Sequence, residues 1–210
     1  MNNFNKDIKL IKDTFQAYLN ILEILKERGF VIIDNKILSL NIFLKKYEES
    51  SPFVFIYEHK SNKEKIYFSI FKESKITKKD LLNKIQLITE KNDYNNYLFL
   101  TSDVQILNYI NEIKNKYNID LQIFTIENLQ INILKHELQP KFILLNSEEK
   151  QIFLDKNKWK ENNLPKMKLD DPISRYYNAK SGQIFKIIRK NMVGRNKTSS
   201  QGIYYRIVIE

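Results

Sequence analysis

The 210-residue chain has no cysteine, four glycines, four prolines and two histidines. Without thiols, neither a disulfide framework nor a thiolate zinc site can form. The two histidines, His59 and His136, have no cysteine or second histidine near them at ligand spacing, which argues against a metal centre. Long hydrophobic runs are missing too. Mean hydropathy is −0.46, no apolar stretch reaches membrane-spanning length, and the first residues, M-N-N-F-N-K-D, lack the apolar core of a signal peptide. These absences predict a soluble protein, internal to a cell or a virion, with no membrane association. Neither a glycine-rich phosphate loop nor a nucleophile elbow is present, and no cofactor is expected.

Apolar residues make up 42% and charged residues 29% of the chain, a balance that supports a folded core. The net charge of +10 is unevenly placed. Residues 1–134 carry 19 Lys+Arg against 17 Asp+Glu, whereas residues 135–210 carry 16 against 8. A basic surface of this kind suits phosphates, an acidic protein partner or solvent, and charge alone does not choose among them.

Periodicity divides the chain in the same way. In residues 6–28, Ile8, Ile11, Phe15, Tyr18, Leu22 and Leu25 recur at spacings of three and four, an amphipathic helix closed by Arg28 and Gly29. Ser39 starts a second helix with Leu40, Phe43, Leu44 and Tyr47 on one side. Phe53–Glu58 and Lys65–Phe71 read as a hairpin. Thr77 and Asp80 then open a helix carrying Leu81, Ile85 and Ile88. A strand at Tyr97–Leu100, a helix bearing Ile106, Ile110, Ile113 and Tyr117, and a strand at Leu121–Ile126 predict a parallel pair joined by a crossover.

The second part begins with H-E-L-Q-P-K at His136–Lys141 and an apolar strand at Phe142–Leu145. Ser147 is expected to cap a helix that turns Ile152, Phe153 and Trp159 inward. After Leu164-Pro165, Asp170 and Asp171 offer carboxylates to a helix start with Pro172 in the first turn. Lys180-Ser181-Gly182 turns the chain, and Gln183–Arg189 alternates as a strand. An irregular loop is predicted over Lys190–Gly202, followed by a last strand, Ile203–Ile209.

Four ordered motifs thus span some seventy residues: H-E-L-x-P-x, L-P-x, D-P-x-x-R-Y with K-x-G-Q-x-x-K-I-I-R, and Y-R-x-V. They resemble the assembly domain of the fifth-largest subunit shared by the eukaryotic RNA polymerases, a domain that archaeal polymerases carry as a small polypeptide of its own. Phe142, Ser181 and Lys190 depart from that pattern, where the family has histidine, arginine and proline, and Asn191–Gln201 is longer than the family's turn. The resemblance implies α/β and α+β architecture: an N-terminal mixed α/β jaw domain, restriction-endonuclease-like, at residues 1–134, and a small mixed-sheet assembly domain with two helices at residues 135–210. It implies a non-catalytic subunit, present in one copy per polymerase with no homo-oligomer. The C-terminal domain would dock on the largest RNA polymerase subunit, beside other polymerase subunits. The jaw would lie near downstream duplex DNA, with weak, non-specific contact.

By the same resemblance, the partner-binding residues are His136, Pro140, Lys141, Leu164 and Pro165; Asp171, Pro172, Arg175 and Tyr176; Gly182, Gln183, Lys186 and Arg189; and Tyr205 and Arg206. Thr101 and Ser102 fall where the family has a DNA-proximal loop, although Thr101-Ser102-Asp103 also reads as a helix cap. A nuclear protein is implied if the source is cellular, a virion and host-cytoplasm protein if viral, and the departures tilt towards a large DNA virus.

Two readings of other classes compete. Glu58 and Lys60 form an E-x-K that, with Asp34, could hold Mg²⁺ for phosphodiester cleavage. The basic C-terminal part could also act as a free DNA-binding module. The tyrosine pairs Tyr176-Tyr177 and Tyr204-Tyr205 suit base stacking, but one ring inward and one outward is the cheaper account.

Overall fold

A computed structural model describes residues 2–33, 37–49, 53–73, 75–91, 94–193 and 198–210. The chain separates into two compact units, Met1–Ile131 and Asn132–Glu210. Each has a sheet with helices against it, one mixed α/β and one α+β.

In the first unit, helix α1 (Asn2–Glu27) buries Thr14, Ala17, Tyr18, Ile21, Ile24 and Leu25. This stripe is rotated from the one the spacing suggested, for Ile8 is exposed and Leu22 only half-buried. Two neighbouring stripes of α1 are apolar, and contact with the sheet selects between them. Tyr18 is fully buried, with its ring 5.1 Å from Phe55 and 5.2 Å from Phe43. Gly29 then turns the chain at φ +89°; a Cβ there would lie 2.7 Å from His59 Nε2, so only glycine fits.

A strand absent from the sequence reading follows, β1 (Phe30–Ile32), too short to display a period. It pairs antiparallel with β2 (Phe53–His59), which forms the expected hairpin with β3 (Lys65–Ile70). Between β1 and β2 lies α2 (Leu40–Glu49), burying Phe43 and Tyr47. Helix α3 (Lys78–Lys91) carries the chain to β4 (Asn96–Thr101), and a 3₁₀ turn with α4 (Ile110–Tyr117) carries it to β5 (Asp120–Thr125). Both crossings yield parallel neighbours, giving the order β1-β2-β3-β4-β5. Leu81, Ile85 and Ile88 of α3 join Ile106 and Ile113 over Tyr67, Tyr97, Phe99, Leu121 and Ile123 on one face. Tyr18 of α1 reaches Phe55 and Phe68 on the other.

The second unit holds a sheet in the order β6-β8-β9-β7, built from β6 (Lys141–Leu144), β7 (Lys166–Lys168), β8 (Ile184–Val193) and β9 (Thr198–Ile209). Alternation sends Ile184 and Ile207 to one face, where they pack with Phe153 and Leu154 of α5 (Ser147–Asn157). Phe185, Ile187 and Val208 go to the other, against Ile173 of α6 (Pro172–Tyr177). A four-stranded sheet with both faces covered explains why β8 is buried at successive positions 184 and 185.

Several local expectations need correction. Asn146, not Ser147, caps α5: its side chain accepts from Glu149 N–H at 2.8 Å, and Glu149 reaches back to Asn146 N–H at 2.9 Å, a reciprocal capping box. Ile152 points to solvent and Leu154 is buried in its place; Trp159 is 49% exposed, its ring edge-on to Phe153. The irregular loop predicted at Lys190–Gly202 is largely an arm. Strands β8 and β9 stay paired out to Val193↔Thr198, because polar residues suffice where only a two-stranded ladder is needed. Residues 194–197 of that loop lie outside the described residues.

Candidate functional site

The motif residues of the second unit do two kinds of work. Some build the domain. Asp171 is the N-cap of α6, its Oδ1 accepting from Ile173 N–H at 2.8 Å, with Pro172 in the first turn. Gly182, at φ +85°, donates its N–H to Val208 and accepts from Lys150 Nζ at 2.8 Å. The Gln183 side chain accepts from Lys180 N–H at 2.7 Å, closing the turn before β8. Leu164 and Tyr176 are buried at 3% and 4% exposure. Their expected role as partner contacts is corrected for Tyr176, whose ring is committed to the interior.

Others are displayed. His136 and Lys141 are exposed, Pro140 is half-buried, and the His136 ring accepts from Leu138 N–H at 3.3 Å. Pro172 is exposed and Lys186 half-buried. Arg175 is half-buried; desolvation lowers its pKa, opposed by nearby Asp170.

One set converges. Pro165, Arg189, Tyr205 and Arg206 line a groove of about 670 Å³, with Leu164 in its wall. The groove exists because of a proline. Strand β7 runs parallel to β9 in the register Lys166↔Ile207, with Ile207 N–H donating to Pro165 C=O at 2.9 Å. One step back along the ladder, the Tyr205 carbonyl would receive the N–H of residue 165, and proline has none. Pairing stops there, the chain leaves into a 3₁₀ turn at Glu161–Asn163, and among the described residues β9 is left with one bare edge upstream of Ile207.

Sequence reasoning missed Lys158, Asn163, Ile187 and Ile203 in the rest of the lining, had turned Trp159 inward, and had weighed Tyr204 only as half of a stacking pair. Tyr205 stacks on Phe153 with ring centroids 3.9 Å apart, while Tyr204 is 48% exposed with the Arg189 guanidinium 5.4 Å from its ring. One tyrosine faces in and its neighbour out, as alternation required. Three cations, Lys158, Arg189 and Arg206, line the groove, and no acid among the described residues does. The signal was present in L-P before an alternating strand, but only the β7–β9 register gives it meaning.

In the first unit, the Thr101–Asp103 segment is structural at two of its three positions. Thr101 is fully buried, and its hydroxyl accepts from Asp103 N–H at 3.0 Å. The expectation that Thr101 faces DNA is therefore corrected. Asp103, 7% exposed, accepts from Ile76 N–H at 2.8 Å through one oxygen and from Gln105 N–H at 2.9 Å through the other. Ser102 alone reaches the surface, its Oγ 3.5 Å from Glu73 C=O.

The E-x-K pair does not assemble. Glu58 is ion-paired with Lys63 at 3.1 Å, and Lys60 lies beyond the end of β2 in a turn, so strand alternation does not bring the two together. Asp34 lies outside the described residues. Among the described residues, no group of three His, Cys, Asp or Glu could hold a metal ion.

Residues 131–208, which coincide with the second compact unit, match the family described as RNA polymerase Rpb5, C-terminal domain. That match identifies the second unit as similar to the Rpb5 C-terminal domain family. The chain is 28% identical over 198 residues to the Arabidopsis thaliana DNA-directed RNA polymerases IV and V subunit 5B, covering 92% of this chain and 88% of that protein. It is 37% identical over 98 residues to the Dictyostelium discoideum DNA-directed RNA polymerases I, II, and III subunit rpabc1, covering 47% of each chain. With the Caenorhabditis elegans subunit RPABC1 it shares 36% identity over 89 residues, 42% of this chain and 40% of that one. The last two matches therefore span less than half of those proteins.

Proposed function

We propose that this chain is a non-catalytic subunit of a multisubunit DNA-directed RNA polymerase. The observation that carries the reading is that the family match at residues 131–208 falls on one self-contained unit whose shared motif residues build a rigid platform. The second unit serves as the assembly domain and docks on the largest subunit, in one copy per enzyme. Its charge, 16 Lys+Arg against 8 Asp+Glu, fits an acidic protein surface. The first unit acts as the jaw beside downstream duplex DNA. Its near balance of charge, 19 against 17, fits a weak, salt-sensitive phosphate contact without base readout. Ser102 is the residue of its loop that can take part. In a cellular host the protein works in the nucleus; in a viral one, in the virion and host cytoplasm.

Purification of the tagged full chain from its native host tests this. The polymerase largest subunit is expected to co-purify in one-to-one ratio and to survive a wash of about 0.5 M salt, since permanent interfaces bury roughly 2,000 Å² or more. Recovery of the chain without that subunit would refute the assignment.

A further inference from the structure

We propose that an extended, acidic segment of the partner polymerase subunit adds to β9 as a fifth strand of the C-terminal sheet, pairing with its bare edge at Ile203 and Tyr205. This rests on the subunit reading and specifies how docking is achieved. The β8–β9 register fixes which backbone groups are available. Gln183 pairs with Val208, whose N–H donates to it at 2.8 Å, so residues 202, 204 and 206 direct their N–H and C=O groups towards β8. Residues 203, 205 and 207 direct theirs the other way. Ile207 is satisfied there by Pro165, and among the described residues no strand lies beside the next two outward-facing positions. Such an edge normally is covered, charged or bent away, because it templates another strand.

Side-chain placement fits the same occupant. An added strand sends alternate side chains to opposite faces of the sheet. Trp159 and Tyr205 stand on one face of this edge, and Tyr204 with Arg189 on the other. Each offers aromatic surface to one set of an incoming strand's residues. Lys158, Arg189 and Arg206 make the incoming strand acidic, with no carboxylate among the described lining residues to oppose it. The same cations disfavour a second copy of this chain, because edge-to-edge pairing would set like charges against one another. A single-stranded nucleic acid would use the cations and rings but leave the outward N–H and C=O groups unmatched. The peptide accounts for all three features.

Amide hydrogen exchange, read on the full chain alone and in the purified polymerase, tests the proposal. In the free chain the Ile203 and Tyr205 amides should exchange roughly a hundredfold faster than those of Tyr204 and Arg206, and in the enzyme they should be protected to a similar degree. Ile203→Pro removes one outward N–H while leaving the β8–β9 bonds, and is expected to lower incorporation about tenfold, the loss of roughly one well-formed edge contact set. Ile203→Ala keeps the N–H and should incorporate within about twofold of the unaltered chain. Should Ile203→Pro disturb folding, read by Trp159 emission, the exchange data on the unaltered chain decide. Fast exchange at 203 and 205 inside the enzyme, or equal loss with both variants, overturns strand addition while the subunit assignment stands. Protection in the free chain through self-association, or by oligothymidylate alone, overturns it in favour of those occupants. Absence of polymerase from the purification overturns both readings together.

Discussion

Replacing Asp103 by alanine should cost the N-terminal unit about 3–5 kcal/mol. The carboxylate is almost wholly buried and joins two segments distant in sequence, the stretch before α3 through Ile76 N–H and the 3₁₀ turn after β4 through Gln105 N–H. Each is a hydrogen bond to a charged acceptor, worth about 1.5–3 kcal/mol. Alanine leaves both donors behind, and Ile76 is itself only 6% exposed, so water replaces the lost oxygen poorly. Asp103→Asn should fall about midway, since one amide oxygen serves one donor while the NH₂ group confronts the other. Against a typical stability of about 5–15 kcal/mol, the alanine variant leaves a marginal domain. Urea unfolding of the full chain separates the units, because the one tryptophan, Trp159, lies in the second. The far-UV circular dichroism transition should move to lower urea while the tryptophan transition holds its midpoint. A shift worth less than about 1 kcal/mol, with duplex-DNA affinity falling instead, would mean that Asp103 and its loop serve a ligand rather than the fold.

Two further outcomes are expected. Asp171→Ala removes the α6 cap and should lower the stability of the C-terminal unit by about 1 kcal/mol, read this time by Trp159 fluorescence; an unchanged midpoint would mean that α6 is held by packing alone. Alkaline pH should weaken the first unit: burial, with smaller contributions from Tyr97 and Tyr94, pushes Tyr67 up to about 12, and burial raises Tyr57 as well. The unfolded chain ionises near pH 10, so the stability these neutral phenols contribute is intact below that pH. It is lost at about 1.4 kcal/mol per pH unit per tyrosine as pH climbs from 10 towards the folded-state value. Tyr67→Phe should flatten that slope between pH 10 and 12.

Local chemistry made much of this protein legible from its residues. The Asp171-Pro172 helix start, the positive φ of Gly182, the Phe53–Glu58 and Lys65–Phe71 hairpin and the apolar faces of α3 and α4 all depend on neighbours within a few residues, and all appear where the pattern put them. The ordered motifs likewise carried the family match of residues 131–208, because a shared fold constrains caps, turns and strand faces together.

Choices between near-equal local options were settled only in three dimensions. α1 had two apolar stripes and the sheet took the one through Ala17, Ile21 and Ile24. Asn146 and Ser147 could each cap α5, and the position of Glu149 chose Asn146. The motif residues looked alike as candidates for contact, yet burial removed Tyr176 and Thr101 from the surface, and register gathered Pro165, Arg189, Tyr205 and Arg206 beside an edge. Spacing along the chain was enough for most of the elements and for the family match of the second unit, since both follow from near neighbours and their order. Which strand edge stays bare is a different kind of fact. It depends on β7 meeting the distant β9 with proline at the one position that must donate, and that pairing exists only in the folded chain.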